Sequence, residues 1–535
     1  MRTLALIAAA AILIAHLLAV GGLAGRPLHY DENEYLHTSW LMAAGQRIYH
    51  DFFEDHPPHL GVMLQSVLPG GELRQADVHA WTVRARILCG ALGTVAVLAL
   101  MLFAWRATRS PAAPVVAAAM VVASPQMWSR GIADIRAEAP TLALFWTGVV
   151  LMTWSSERTR AQAIRAGVGI GLMLFANLWN PKWPLEGALM GVLYLALLWR
   201  MRRDVRSLAA SVGAAVAVTA IAIAPILMTT SLSEYVFFNF RLKAEVARDF
   251  TSNPWIVSFF ERVPVWQSAA PQHRWWWIAS AIALAIMALL FRPKTGEPGE
   301  RRDLQWIAVA LCIASLLEVR FVYPYPYLWA QYLVMLAMCA SLVYALLAAQ
   351  HRVVGIVAIA LAATFALVRL QPMAASVFRD APRSWSAYWH AQRALQTSLR
   401  ESDRVWISPP RHPVAAFDAS YYWYNFRESA PSAIRARSRH PEFLPPVAFS
   451  DLPPCTLRAR YVELGDWMPF LDGVCRCGET AFNAGKLAPT ESLGIFEVTN
   501  EKRDAPWLRR TRGLWSDLCR RQEVFLRGGQ LNITP

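Results

Sequence analysis

Residues 4–24, LALIAAAAILIAHLLAVGGLA, form an unbroken apolar run, and residues 29–37, HYDENEYLH, follow it with acids, histidines and aromatics. A helix needs about 20 largely apolar residues to cross the hydrocarbon layer of a bilayer. The first stretch meets that length, and the second is too polar to enter lipid. The small residues that end the run imitate a signal-peptide cleavage site. The run is nevertheless longer than an h-region of roughly 7–15 residues, and more apolar blocks follow it, so it reads as an uncleaved signal anchor.

The same pattern recurs along the chain. Hydrophobic residues make up 55% of 535 and are gathered in separated blocks, which no soluble core requires. Blocks near 4–24, 87–105, 112–128, 139–154, 166–180, 185–199, 207–229, 275–291, 304–319, 326–349 and 353–370 predict about eleven spans. Those at 139–154 and 166–180 are short for a full crossing, which predicts broken helices or helices that outrun the apolar stretch.

Basic residues orient these spans. Arg106 and Arg109, then Arg158, Arg160 and Arg165, then Arg200, Arg202, Arg203 and Arg206, then Arg292, Lys294, Arg301 and Arg302, and finally Arg352 fall in alternate connections. The positive-inside rule assigns those connections and the N-terminus to the cytoplasm. Residues 25–86, 129–138, 181–184, 230–274, 320–325 and the tail from 371 are then external. The net charge of +14 is partly a topology signal and partly an affinity for anionic lipid, and gives no argument for nucleic acid.

Beyond residue 370 the character changes. Short alternating stretches such as Arg404–Ser408 (RVWIS) and Arg460–Leu464 (RYVEL), punctuated by Pro409-Pro410, Pro445-Pro446 and Pro453-Pro454, suit a small α/β domain. The expected architecture is therefore an α-helical polytopic membrane domain, residues 1–370, followed by an extracytoplasmic α/β domain, residues 371–535. Cys89, Cys312 and Cys339 lie in apolar spans and read as small core residues. Cys455, Cys475, Cys477 and Cys519 lie in the tail, where an exported segment predicts two disulfides with three possible pairings. Paired C-x₂-C spacing of a zinc site is missing from the tail.

The external segment 25–86 carries the chemistry. Asp31 and Glu32 emerge beside the membrane surface, where partial desolvation can make a carboxylate a useful base; the plainer reading is a solvated acidic loop. His50, Asp51, Glu54, Asp55, His56 and His59 form a dense group of possible ligands, but without a fixed metal-binding spacing. No essential metal is expected.

An Asp-Glu pair just past the first span, the stretch Asp51–Pro58 (DFFEDHPP) and Arg86-Ile-Leu at the opening of the second span together resemble the GT-C superfamily of membrane glycosyltransferases. The resemblance is to the bacterial branch related to protein O-mannosyltransferases and the lipid A aminoarabinose transferase. It extends to Asp134–Glu138 (DIRAE), Asn180–Pro184 (NPKWP) and Tyr323–Tyr332 (YPYPYLWAQY), covering about residues 1–370. Such enzymes take a sugar from a polyprenyl phosphate and pass it to an acceptor hydroxyl, generally with inversion, on the outer face of a bacterial inner membrane.

The resemblance implies roles for individual residues. Asp31 matches the catalytic aspartate as general base, with Glu32 beside it for orientation or sugar contact. Arg86, Arg136, Lys182 and His56 are the candidates for the donor phosphate, although interfacial snorkelling explains most such cations. Arg84 competes with Arg86. His56 departs from the pattern, standing where relatives carry lysine before Pro-Pro, and holds less positive charge at neutral pH. Asp51, Glu54, Glu138, Tyr323, Tyr325 and Tyr327 are expected along the substrate groove, the tyrosines doubling as an interfacial aromatic belt. The segment 230–274, with Phe237, Phe238 and Trp266, is expected to lie as an amphipathic helix over the site. The implied partners are a lipid-linked sugar donor, the bilayer, and a glycan, glycolipid or protein acceptor, with no essential cofactor.

Two other classes fit many spans. A transporter would carry charge or broken helices at mid-membrane and often a repeated half, and no clear repeat is seen. An envelope scaffold would leave the ordered acidic and basic motifs without a purpose.

Overall fold

The pattern of apolar blocks becomes helices. The structure is a computed structural model, and it describes residues 1–52, 54, 56–70, 76–124, 127–154, 159–181, 183–242, 299–321, 326–378, 383–398, 405–408, 461–464, 487–489 and 495–498. In chain order the helices are α1 (Arg2–Ala24), α2 (Tyr30–Ala43), α3 (His59–Gln65), α4 (Val78–Thr108), α5 (Ala112–Val122), α6 (Glu138–Met152), α7 (Arg160–Trp179), α8 (Pro184–Met201), α9 (Val205–Thr229), α10 (Leu232–Val236), α11 (Gly299–Phe321), α12 (Pro326–Ala348), α13 (Arg352–Ala375) and α14 (Arg383–Ser398). Ten of the eleven blocks expected from the sequence fall on helices, and the block 275–291 lies outside the described residues.

Among the described residues, α1, α4, α7, α8, α9 and α13 are long and apolar enough to cross a membrane, and α5, α6 and Leu333–Ala348 of α12 are shorter apolar helices. Their outward sides agree with lipid contact. Met228 is 82% exposed and Val353 73%, with Leu6 and Leu361 close behind, positions that water would penalise and hydrocarbon would not.

Among the described residues, two compact units are distinguished: the first takes in 1–26, 82–228 and 299–378, and the second 27–81, 229–242, 383–398 and the strands. In the first unit α1 turns Ala5, Ala8, Ile12, His16, Ala19 and Gly22 inward at helical spacing and packs on α13 and α5. Small residues let these helices approach, which is how helices associate where lipid removes the hydrophobic drive. A Cβ on Gly148 of α6 would come 2.6 Å from the carbonyl of Gly169 of α7, and the converse holds equally. The expected block 112–128 is interrupted. Helix α5 stops at Val122, and helical backbone resumes as a π-helical turn, Met127–Ile132. Pro125 explains the stop, since proline disfavours helix at the residue before it.

In the second unit the segment expected to be a loop is largely helical. α2 carries the acids in its first turn and packs on α3, and it is buried all round from Asp31 to Leu41, polar residues included. The first helix of the tail, α14, docks where α4 begins: Gln396 donates from Nε2 to the Ala76 carbonyl at 2.8 Å, and the Trp389 ring lies 4.6 Å from that of His79 in the first turn of α4. The strands β1 (Val405–Ser408), β2 (Tyr461–Leu464), β3 (Leu487–Pro489) and β4 (Ile495–Val498) form one sheet in the order β1-β2-β4-β3. β1 and β2, the two alternating stretches singled out from the sequence, pair in parallel with Val405 opposite Tyr461. β4 runs antiparallel to both β2 and β3. Cys455, Cys475, Cys477 and Cys519 lie outside the described residues.

Candidate active site

In the second unit, the chain leaves Pro27 and turns into α2 at His29, which is the cap of that helix. The first four N–H groups of a helix lack intrahelical partners. Here the Glu32 carboxylate reaches back to accept the His29 backbone N–H at 2.8 Å, while the His29 side chain serves the third turn position, a reciprocal capping box. Asp31 sits one position earlier in the same turn, 4.0 Å from His29 Nδ1. Helix polarity favours negative charge at this end. Asp31 is 4% exposed, and Glu32, Asn33 and Glu34 are buried beside it. Glu32, expected to orient its neighbour, thus has a structural duty in starting the helix.

A second group comes from the DFFEDHPP stretch. His56 Nδ1 lies 2.7 Å from Glu54 Oε1 and 3.5 Å from Glu34 Oε1, and Thr38 donates to Glu54 Oε2 at 2.5 Å. Glu34, Glu54 and His56 are the one set among the described residues whose ligand atoms, all within 4.8 Å of one another, could hold a metal ion. The structure therefore turns the imidazole expected at the phosphate toward two buried carboxylates, whose charge it offsets when protonated. Asp51 stands apart from this group. It is half-exposed on a turn, where the Arg47 backbone N–H, and then His50, hold its carboxyl below the usual range despite slight burial.

The residue that sequence reasoning missed is Tyr49. Its φ of 69° is in the left-handed region, an outlier for a bulky side chain. It is buried, stacks at 4.7 Å on Phe238 of the π-helical turn after α10, donates its hydroxyl to the His56 carbonyl at 2.6 Å and accepts from Asn239 Nδ2 at 2.8 Å. Phe237 and Phe238, expected on an amphipathic surface helix, are buried in this unit; Trp266 lies outside the described residues. Backbone strain of this kind costs on the order of 1–3 kcal/mol and persists where the surroundings over-determine it. Tyr49→Phe is expected to cost about 1–3 kcal/mol by deleting two hydrogen bonds, those to the His56 carbonyl and from Asn239, read as a lower melting temperature in detergent.

In the first unit, the candidate cations lie in ties between elements. Arg86 donates from Nη1 to the carbonyls of Ala24, at 3.0 Å, and Arg26, holding the C-terminal end of α1. Arg26 in turn pairs with Asp134. Helix α6 begins at Glu138, so Asp134 and Arg136 precede it, and Arg136 Nε stands 3.5 Å from Glu138 Oε2 with both side chains buried. Arg84 is in α4 two positions before Arg86. Lys182, Tyr323 and Tyr325 lie outside the described residues, as does the side chain of Tyr327 on α12.

No family model matches the chain, and no curated protein matches it. Solved structures do. The chain is similar in fold to the crystal structure of ArnT from Cupriavidus metallidurans bound to undecaprenyl phosphate, with a TM-score of 0.51 and 14% identity over 82% of this chain and 88% of that one. The apo crystal structure of the same protein matches at a TM-score of 0.44 and 13% identity, over 93% of this chain and 98% of that one. The shared fold agrees with the GT-C resemblance carried by the sequence motifs.

Proposed function

We propose that the chain is a membrane glycosyltransferase that moves a sugar from a polyprenyl-phosphate donor to an acceptor hydroxyl. The observation that carries this reading is the fold shared with a protein crystallised with undecaprenyl phosphate, in a chain that buries acids where such a reaction needs a base. Asp31 takes the proton of the acceptor hydroxyl as that oxygen attacks the anomeric carbon, and the polyprenyl phosphate leaves from the opposite side with inversion. Arg86, Arg136 and Lys182 supply positive charge to the departing phosphate, which takes the electron pair of the broken sugar–oxygen bond and gains a negative charge. His56, held by Glu34 and Glu54, offers its imidazole to the phosphate as a hydrogen-bonding group. Glu138, buried against Arg136, aims that guanidinium, and Glu54 and Asp51 with Tyr323, Tyr325 and Tyr327 border the groove. Metal is not needed by this scheme, because the leaving group is a single phosphate met by fixed cations.

On the family resemblance the protein lies in a bacterial inner membrane, and the positive-inside rule orients it with the N-terminus in the cytoplasm and α2, α3 and the tail domain on the periplasmic side. The test is a mass-spectrometric assay of detergent-purified protein with a pool of polyprenyl-phosphate sugars and candidate acceptors, run with and without chelator. The expected result is loss of one sugar-bearing donor, gain of free polyprenyl phosphate, and no effect of chelator. Donors left intact with every acceptor class overturn the reading, and turnover abolished by chelator moves the Glu34, Glu54 and His56 group into the mechanism.

A further inference from the structure

Two carboxyl groups that the proposed reaction does not use are buried together in the helical unit. Glu186 is the third residue of α8 and Glu318 is three residues from the end of α11; they are 0% and 4% exposed, and α8 packs on α11. One oxygen of each is anchored. The Ser315 hydroxyl donates to Glu186 Oε1 at 2.5 Å, and the Leu185 backbone N–H donates to Glu318 Oε1 at 3.2 Å. The second oxygen of each, Oε2, meets no donor among the described residues. Those two bonds draw the carboxyls toward one another, since Glu318 accepts from the residue next to Glu186 and Glu186 accepts from a hydroxyl one turn before Glu318.

Among the described residues no cation is paired with either, and Lys182 and the side chain of Arg320 lie outside them. Facing the pair from α12 is the Cys339 thiol, with Sγ 3.4 Å from the Ser315 hydroxyl and Cys312 of α11 beside it. Beyond those thiols α12 has no charged residue, and the charges of α7 are Arg160 and Arg165 in its first turns, far along the helix from α8's start. α8 has its one arginine, Arg200, at the opposite end, and α11 gathers Glu300, Arg301, Arg302 and Asp303 at its own opposite end. Two bare carboxylates at contact in such a setting repel strongly and leave both outer oxygens unpaired. One proton removes the repulsion and satisfies both oxygens at once.

We infer that Glu186 and Glu318 form a proton-binding site: they hold a single proton between them, as a carboxylic acid donating to a carboxylate, and so fasten the first turn of α8 to the last turns of α11. The pair lies next to the turn of Asn180, Pro181 and Trp183, so the same proton fixes the entry into α8. This inference does not depend on the transferase reading.

Infrared difference spectroscopy of the full-length protein in detergent at neutral pH tests it. A protonated carboxyl C=O band is expected in wild type and is lost in both Glu186→Gln and Glu318→Gln, because an amide donates to the remaining carboxylate as the acid did. For the same reason each single Gln variant should melt within a few degrees of wild type, whereas Glu186→Ala and Glu318→Ala, which strand the partner, should melt clearly lower. The inference is overturned if neither Gln variant removes a protonated-carboxyl band, or if the Gln variants melt as low as the Ala variants or fail to fold.

Discussion

Asp31→Asn is expected to lower turnover by about 10²–10⁴-fold, the range over which a positioned general base contributes, while leaving the protein folded. The amide has the carboxylate's shape, so the packing around this buried position in the first turn of α2 is preserved. What it lacks is a basic oxygen able to take the acceptor's proton. The substitution also gives up the attraction between a negative side chain and the N-terminal end of the helix, on the order of 0.3–1 kcal/mol, too little to unfold a membrane protein of this size. Initial rates with a saturating donor, set beside melting curves, separate the two effects. Loss of turnover with an unchanged melting temperature supports Asp31 as base. Equal turnover in the two proteins places the base elsewhere in the acid cluster, with Glu34 as the next candidate, since it is buried in the same helix and reached by His56.

The contrast between Asp31 and Glu32 shows what a linear motif does not disclose. Side by side in the sequence, their residue types alone do not separate them, and the family resemblance is what assigns the base to Asp31. In space, Glu32 is occupied in closing the capping box with His29, and only the helix start reveals this. The sequence resembles a loop here because polar residues dominate, and α2 nevertheless buries them, Asp31 to Leu41 being inside on every side of the helix.

Apolar block length foretells the membrane helices because the bilayer imposes a length and a composition on any segment that crosses it. β1 and β2 were legible for a similar reason, as alternation with period two marks a strand. Partnerships across the chain leave no such trace. Ser315 and Glu186 are separated by 129 residues, Arg26 and Asp134 by 108, and Asn239 and Tyr49 by 190. In the sequence, Glu186 and Glu318 are isolated acids at the ends of apolar blocks, and Tyr49 is one aromatic among many. Its left-handed backbone is dictated by the contacts it makes, not by its own preference.

Arg86→Ala is expected to cost roughly 3 kcal/mol or more of stability, because buried hydrogen bonds to a charged group contribute about 1.5–3 kcal/mol each and two carbonyls are stranded together. Arg86 is 1% exposed, and its Nη1 serves the carbonyls of Ala24 and Arg26 just where α1 ends. A helix's last carbonyls have no intrahelical donors and concentrate negative charge, so a guanidinium there satisfies both needs. Without it, the end of α1 is left buried with unpaired acceptors and a cavity the size of the lost side chain. A marked fall in melting temperature and in yield of folded protein is the expected measurement. Arg86→Lys separates this anchoring from the proposed contact with the donor phosphate. Lysine keeps the charge but lacks the planar fork, so it recovers part of the stability while meeting a phosphate less well. A Lys variant that melts near wild type yet needs several-fold more donor for half-maximal rate assigns Arg86 to both duties; one that regains stability and donor affinity together makes it an anchor alone; and an Ala variant as stable as wild type shows that the end of α1 is held by other groups.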